Sequence, residues 1–284
     1  MSRARVVRWP VAVSVAVLIA VGLLSSRPAP ASASVPDRQM VYAESATNSS
    51  DKGVTVTCPE GTQRLASGAD VGGVGGAYVV VDDLVPGPRS VTAFGYEYHY
   101  GTSLTWFIRA WAVCGSLNTT VYTYAHTSGY DTSVNKSVSV DCGSDEVVLG
   151  TGYQLSGARG DALVTALTPS RNTVTVEASA VDLSSTMGGW SVTAFAICAT
   201  DPGGRSQISD TTSSDSGYSR LGHATCPSGM EAFGAGFALN GFRGRLNIRD
   251  IYPTDDGTAF SEAEELVSTT DVWSLTTYVV CAAA

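Results

Sequence analysis

The sequence predicts an all-β fold built from three tandem repeats, each closed by its own disulfide. Two observations carry this. Six cysteines, Cys58, Cys114, Cys142, Cys198, Cys226 and Cys281, stand 56, 28, 56, 28 and 55 residues apart, a period of 84. The composition, with 30 glycines, only 15% charged residues and no long helical periodicity, belongs to strands and turns.

The chain opens with a segment of its own. Arg3, Arg5 and Arg8 precede an apolar run from Val11 to Leu24, and Ala31-Ser32-Ala33 fits the small-residue cleavage rule. Residues 1–33 are therefore expected to be a signal peptide, and the mature chain a secreted protein without a membrane anchor. An N-terminal segment, 34–40, leads into β repeats at 41–117, 118–201 and 202–284.

Fixed offsets define the repeat. Seven residues after the first cysteine of each pair stand Leu65, Leu149 and Phe233; ten after it stand Gly68, Gly152 and Gly236. Eight residues before the closing cysteine stand Trp106, Trp190 and Trp273, and three before it Trp111, Phe195 and Tyr278. The last segment, Trp190 to Cys198, alternates with period two, which makes it a strand apolar on one face and partly on the other. Strands are also expected to end at Cys58, Cys142 and Cys226, to run through Gly150–Leu155 and Val174–Val181, and to open each unit near Thr120–Ala125. That gives five or six strands per repeat. The three tryptophans are expected to be structural.

Six cysteines allow 15 pairings. A unit able to duplicate carries its own bridge, which selects Cys58–Cys114, Cys142–Cys198 and Cys226–Cys281. The competing pattern, Cys114–Cys142, Cys198–Cys226 and Cys58–Cys281, staples repeats to one another. Two plans of assembly follow: three small β-sandwiches in a row, or a pseudo-threefold β-prism with one core. The gaps between cysteine pairs hold polar, strand-like sequence rather than a Pro-rich linker, which favours close packing.

The pattern C-P-x-G … G-x-G … W-x-V-x-A-x-A-x-C, spanning residues 58 to 281, resembles tandem repeats of uncharacterised secreted actinobacterial proteins. Repeat two departs from it with Cys142-Gly-Ser-Asp. The plan is also loosely similar to the threefold β-prisms of vitelline membrane outer layer proteins, whose motifs are not reproduced. Neither resemblance implies an activity.

Charge narrows the function. Cleavage removes four arginines and no acid, so a formal charge of −9 becomes −13. Such a surface repels phosphate backbones and anionic lipid, so neither nucleic acid nor membrane is an expected partner. His99, His126 and His223 occupy no repeated position, no HExxH or G-x-S-x-G occurs, and no metal or cofactor is expected. Asp215-Ser216-Gly217 and Arg159-Gly160-Asp161 are short enough to arise by chance. Carboxylates cluster at Asp82-Asp83, at Asp255-Asp256 and at Glu262, Glu264 and Glu265, as solvated loop charge.

A function particular to one repeat must use residues the others lack. Phe94, Tyr96, Tyr98 and Tyr100 alternate along repeat one, where an ungapped alignment gives Ala178, Ala180, Asp182 and Ser184 in repeat two and Glu262, Glu264, Leu266 and Ser268 in repeat three. Because Val174 and Val176 continue the same aligned face in repeat two, the row is either core or a binding surface. The sequence thus points to a non-enzymatic extracellular binding or structural protein recognising a glycan, wall polymer or protein. The alternatives are a secreted hydrolase with loop carboxylates and an inhibitor or toxin-complex component.

Overall fold

Alternating apolar and polar residues give each repeat six antiparallel strands. The computed structural model describes residues 35–98, 101–181, 188–241, 244–266, 268 and 270–283; residues 1–33, His99 and Tyr100 lie outside the described residues. Repeat one holds β1 Gln39–Glu44, β2 Lys52–Thr57, β3 Gln63–Gly72, β4 Val79–Pro86, β5 Ser90–Glu97 and β6 Phe107–Gly115. Repeat two holds β7 Tyr122–Thr127, β8 Asn135–Asp141, β9 Glu146–Ser156, β10 Ala162–Pro169, β11 Thr173–Ala180 and β12 Ser191–Thr200. Repeat three holds β13 Ser206–Thr211, β14 Ser219–Thr225, β15 Met230–Asn240, β16 Leu246–Pro253, β17 Thr258–Glu265 and β18 Ser274–Ala283.

Each repeat splits into two three-stranded halves. In repeat one these are β1-β6-β3 and β2-β5-β4, and the other repeats follow the same plan. The disulfides Cys58–Cys114, Cys142–Cys198 and Cys226–Cys281 lie within the repeats and tie one half to the other. In the loop-entropy model each is worth about 4 kcal/mol.

The halves do not stay within their repeat. Each fuses edge to edge with a half from the next, giving sheets ordered β1-β6-β3-β16-β17-β14, β2-β5-β4-β9-β12-β7 and β13-β18-β15-β10-β11-β8. We call these the first, second and third sheets. Every sheet belongs to two repeats, so the chain closes into a pseudo-threefold ring. One apolar core, with Val71, Leu84, Tyr153, Leu167, Phe237 and Ile251, runs through all three repeats. This is the prism plan, not sandwiches in a row.

Each seam rests on two paired residues: Asp70 and Ala69 with Asp250 and Ile251, Gln154 and Tyr153 with Asp83 and Leu84, Ala238 and Phe237 with Ala166 and Leu167. The repeated glycines explain themselves here. A Cβ on Gly152 would lie 2.6 Å from the Leu84 carbonyl, and one on Gly68 2.8 Å from that of Ile251. Both neighbours are backbone and cannot swing away. Nearer the axis, Ala66, Gly150 and Gly234 crowd together. Beside them the Ser67 hydroxyl donates to the Thr151 carbonyl, and the Thr151 hydroxyl donates to the Ala235 carbonyl at 2.7 Å.

The tryptophans close the end of each unit opposite the disulfide. Trp106, Trp190 and Trp273 are buried, each under a cation: Lys52 at 3.4 Å from the ring centroid, Lys136 at 5.1 Å and Arg220 at 4.7 Å. Lys136 bonds Asp131 at 2.7 Å, and Arg220 bonds Asp215. These cations also recur at a period of 84, a signal as regular as the cysteines.

Three sequence expectations change in detail. β1 begins at Gln39, inside the segment assigned to 34–40. Pro86 stands 28 residues after Cys58 but Pro169 only 27 after Cys142, so repeat one carries an extra residue and the ungapped comparison is out of step. By strand pairing, Phe94 matches Glu177 and Glu262, Tyr96 matches Ser179 and Glu264, and Val174 and Val176 match the buried Val91 and Ala93. Phe94 and Tyr96 therefore lie on the outer side of β5, half-buried. Tyr98 is buried with Val80, Leu163 and Val181 in an apolar plug contributed by different repeats.

A crowded seam predicts a sharp steric penalty. Gly152→Ala should cost about 2 kcal/mol or more in a thermal melt, whereas Gly188→Ala, where a Cβ meets nothing within 4 Å, should stay within about 0.5 kcal/mol. Equal melting temperatures would show that the seam is not tight.

Candidate functional site

The three outer faces can be compared position by position. Opposite each seam glycine stands the aromatic residue of the repeat: Trp111 opposite Gly68, Phe195 opposite Gly152, Tyr278 opposite Gly236. Covering a bare glycine with a cross-strand ring stabilises a sheet, so this residue serves the fold.

Only the first sheet extends it. Tyr42 on β1, Trp111 on β6, Tyr252 on β16, Phe260 on β17 and His223 on β14 form one row crossing the sheet from edge to edge. Their ring centroids follow at 4.6, 5.2, 5.4 and 6.5 Å. Trp111 and Tyr252 lie on strands two apart, on the order of 9.5 Å, yet stack at 5.2 Å because Gly68 between them has no side chain. Tyr42 is 57% exposed, His223 is exposed, and the middle three are half-buried. The corresponding residues are Ala125, Val85, Thr92 and Thr55 in the second sheet and Ser209, Thr168, Thr175 and Ser139 in the third.

Two residues along the strands, beside the rings, runs a second row: Glu44, Arg109, Asp70, Asp250 and Glu262. Arg109 donates to Glu44 at 2.8 Å and to Asp70 at 3.4 Å, and the Trp111 indole N–H also donates to Asp70. The rings and carboxylates are thus one bonded unit. Arg249, a bulge residue, reaches Glu264 at 3.4 Å and Glu262 at 3.9 Å. Burial pushes the Asp70 carboxyl above its ordinary range. Asp250 is raised further, by burial first and then by the neighbouring Asp70 and Glu262.

The remaining sequence candidates make contacts within the fold. Asp82, Asp83, Glu262, Glu264 and Glu265, expected as solvated loop charge, stand on strands, with Asp82, Glu264 and Glu265 buried. Phe94 and Tyr96 pack together at 4.8 Å, with Phe94 lying over Gly53. Asp82 and Asp83 hold the seam between repeats one and two. Asp83 accepts from Gln154 at 3.5 Å and from the Leu155 N–H at 3.3 Å, and its carboxyl is pushed up to about 6, chiefly by burial. Asp82 is buried and accepts the Gly160 N–H, which pins the Arg159-Gly160-Asp161 tripeptide against repeat one. Asp215 accepts the Gly217 N–H at 2.8 Å while binding Arg220, so that triplet belongs to the tryptophan clasp. Glu265 faces inward and accepts from Trp273 at 3.2 Å. His126 bonds the Ser139 carbonyl at 2.8 Å. Among the described residues, no three His, Cys, Asp or Glu side chains are placed to hold a metal ion.

Sequence reasoning sought a row along one strand and missed the row across six. Tyr42 and Trp111 pair within repeat one and Tyr252, Phe260 and His223 within repeat three, and the two groups join only at the Trp111–Tyr252 stack once the ring has closed. No family model matches the chain, and no curated protein matches it.

The raised carboxyls predict a pH dependence of stability. A folded-state pKa above the unfolded value means that the native state keeps a proton the unfolded chain has lost, so stability falls as pH rises through that window. For Asp83 the window runs from about 4 to about 6; for Asp250 it also opens near 4 and extends upward. Asp250→Asn should therefore raise the melting temperature by about 2–4 °C at pH 8 and leave it unchanged at pH 4. A loss at pH 8 would contradict this assignment.

Proposed function

We propose that the chain is a secreted, non-enzymatic recognition module that binds a glycan along the outer face of its first sheet. The observation that carries this is the five-ring row in one of three otherwise equivalent sheets. The fold explains one ring per sheet and leaves Tyr42, Tyr252, Phe260 and His223 over.

The row's form fits an elongated ligand. Six strands at about 4.8 Å make a strip on the order of 24 Å long. Aromatic rings supply apolar contact at low entropic cost, and the carboxylates beside them accept hydrogen bonds from hydroxyls. Three intra-repeat disulfides fit the oxidising compartment that a secreted protein meets. An acidic chain is suited to a neutral or cationic polymer rather than an anionic one.

The test is binding to a panel of neutral and amino polysaccharides by affinity electrophoresis. Tyr252→Ala and Tyr42→Ala should each weaken retention about tenfold or more. Phe195→Ala, at the position equivalent to Trp111 in the second sheet, should leave it unchanged. Retention indifferent to Tyr252 would overturn the assignment. The adjacent Asp70 and Asp250 motivate a second reading, a hydrolase with paired carboxylates. Release of reducing ends, abolished by Asp70→Asn, would favour it.

A further inference from the structure

We propose that the ligand of this face carries protonated amino groups: an amino-sugar polymer whose ammonium groups dock on the carboxylate row while its rings lie along the aromatic row. The inference rests on the glycan-binding reading and goes beyond it by fixing the ligand's charge.

Every strand of the sheet contributes to the two rows. The ionisable groups on this side of the sheet are Glu44 from β1, Arg109 from β6, Asp70 from β3, Asp250 and Arg249 from β16, Glu262 and Glu264 from β17, and His223 from β14, of which Asp70 and Glu264 are buried and bonded to Arg109 and Arg249. Five carboxylates thus face two guanidiniums. Both guanidiniums are engaged: Arg109 by Glu44 and Asp70, Arg249 by Glu264 and Glu262. Asp250 lies between Asp70 and Glu262 on consecutive strands, and burial together with these two neighbours keeps a proton on its carboxyl well above the ordinary range. Like charges directly opposite one another destabilise a sheet, and an ammonium group placed over them relieves that repulsion.

The fold does not require this charge. The corresponding positions are Thr127, Thr193, Gln154, Asp83 and Phe94 in the second sheet, and Thr211, Thr276, Ala238, Ala166 and Glu177 in the third. Negative charge is concentrated where the rings are. A neutral polymer would leave these carboxylates competing with one another, whereas a polymer with regularly spaced ammonium groups satisfies rings and charges together.

The test is calorimetric titration of the mature protein with three β-1,4-linked hexamers: glucosamine, N-acetylglucosamine and glucose. Hexalysine serves as a charge-only control. The glucosamine hexamer should bind about tenfold tighter than the acetylated one in 0.05 M salt, and the difference should shrink in 0.5 M salt. Glu262→Gln should reduce that preference about fivefold, while Tyr252→Ala should weaken all three sugars. Equal affinity for the amino and acetylated hexamers would overturn the charge assignment and leave the glycan reading standing. No binding of any of the three sugars would overturn the charge assignment, leaving the glycan reading to the wider panel. Hexalysine binding as tightly as hexaglucosamine, with Tyr252→Ala without effect, would reduce the face to ion exchange and overturn both.

Discussion

The rest of the structure depends on the backbone contact between one repeat's glycine-bearing strand and its neighbour. At Gly68, Gly152 and Gly236 the next strand lies so close that a single methyl group does not fit. That contact makes each sheet continuous across two repeats, and three such contacts close the ring. Closure brings β3, β9 and β15 to the axis, where Ala66, Gly150 and Gly234 meet and the Ser67 and Thr151 hydroxyls bond across repeats. The disulfides and tryptophan clasps finish each unit at its two ends but do not join the units. Joining falls to the seams, helped by arginines such as Arg205, which donates to the Val148 carbonyl at 3.0 Å.

The same constraint makes the site. A bare glycine at the seam leaves a gap on the outer face, and the rings from either side of it meet there. In the second and third sheets one aromatic residue suffices. In the first, Tyr252 stacks on Trp111 across the gap, and Tyr42, Phe260 and His223 extend the stack to both edges. The outer face carries little of the core, so its residues were free to diverge among repeats while the inner ones were held. The difference between repeats is thus where function is legible, and the seam fixes which differences come together.

Much of the fold was legible because it repeats. Cysteines at a period of 84 selected the disulfides, and tryptophans eight residues before each closing cysteine marked the strand ends. Lys52, Lys136 and Arg220 carry the same period and were equally readable as the cations over those tryptophans. The site was not readable. Tyr42 and Phe260 are more than two hundred residues apart, and nothing local says that β1 and β17 share a sheet. Of the row that sequence suggested, Phe94 and Tyr96 alternate along β5, Tyr98 lies just past its end, and Tyr100 lies outside the described residues. Phe94 covers Gly53 and Tyr98 turns inward to the end plug, so among the described residues the row does not share one exposed face. One extra residue in repeat one also hid the true counterparts, since a register shift of one exchanges inner for outer faces.

The central claim is that repeat one and repeat three, at opposite ends of the chain, are paired edge to edge. Asp70 and Asp250 are direct partners across that seam, within the Cα separation a disulfide bridges. The most direct measurement is therefore mass spectrometry under non-reducing conditions of a chain carrying Asp70→Cys and Asp250→Cys. The closed ring predicts a monomer in which the two new cysteines are bonded to each other beside the three native bridges. Free thiols, or bonds formed only between molecules, would mean that the ends do not meet and that the repeats stand in a row.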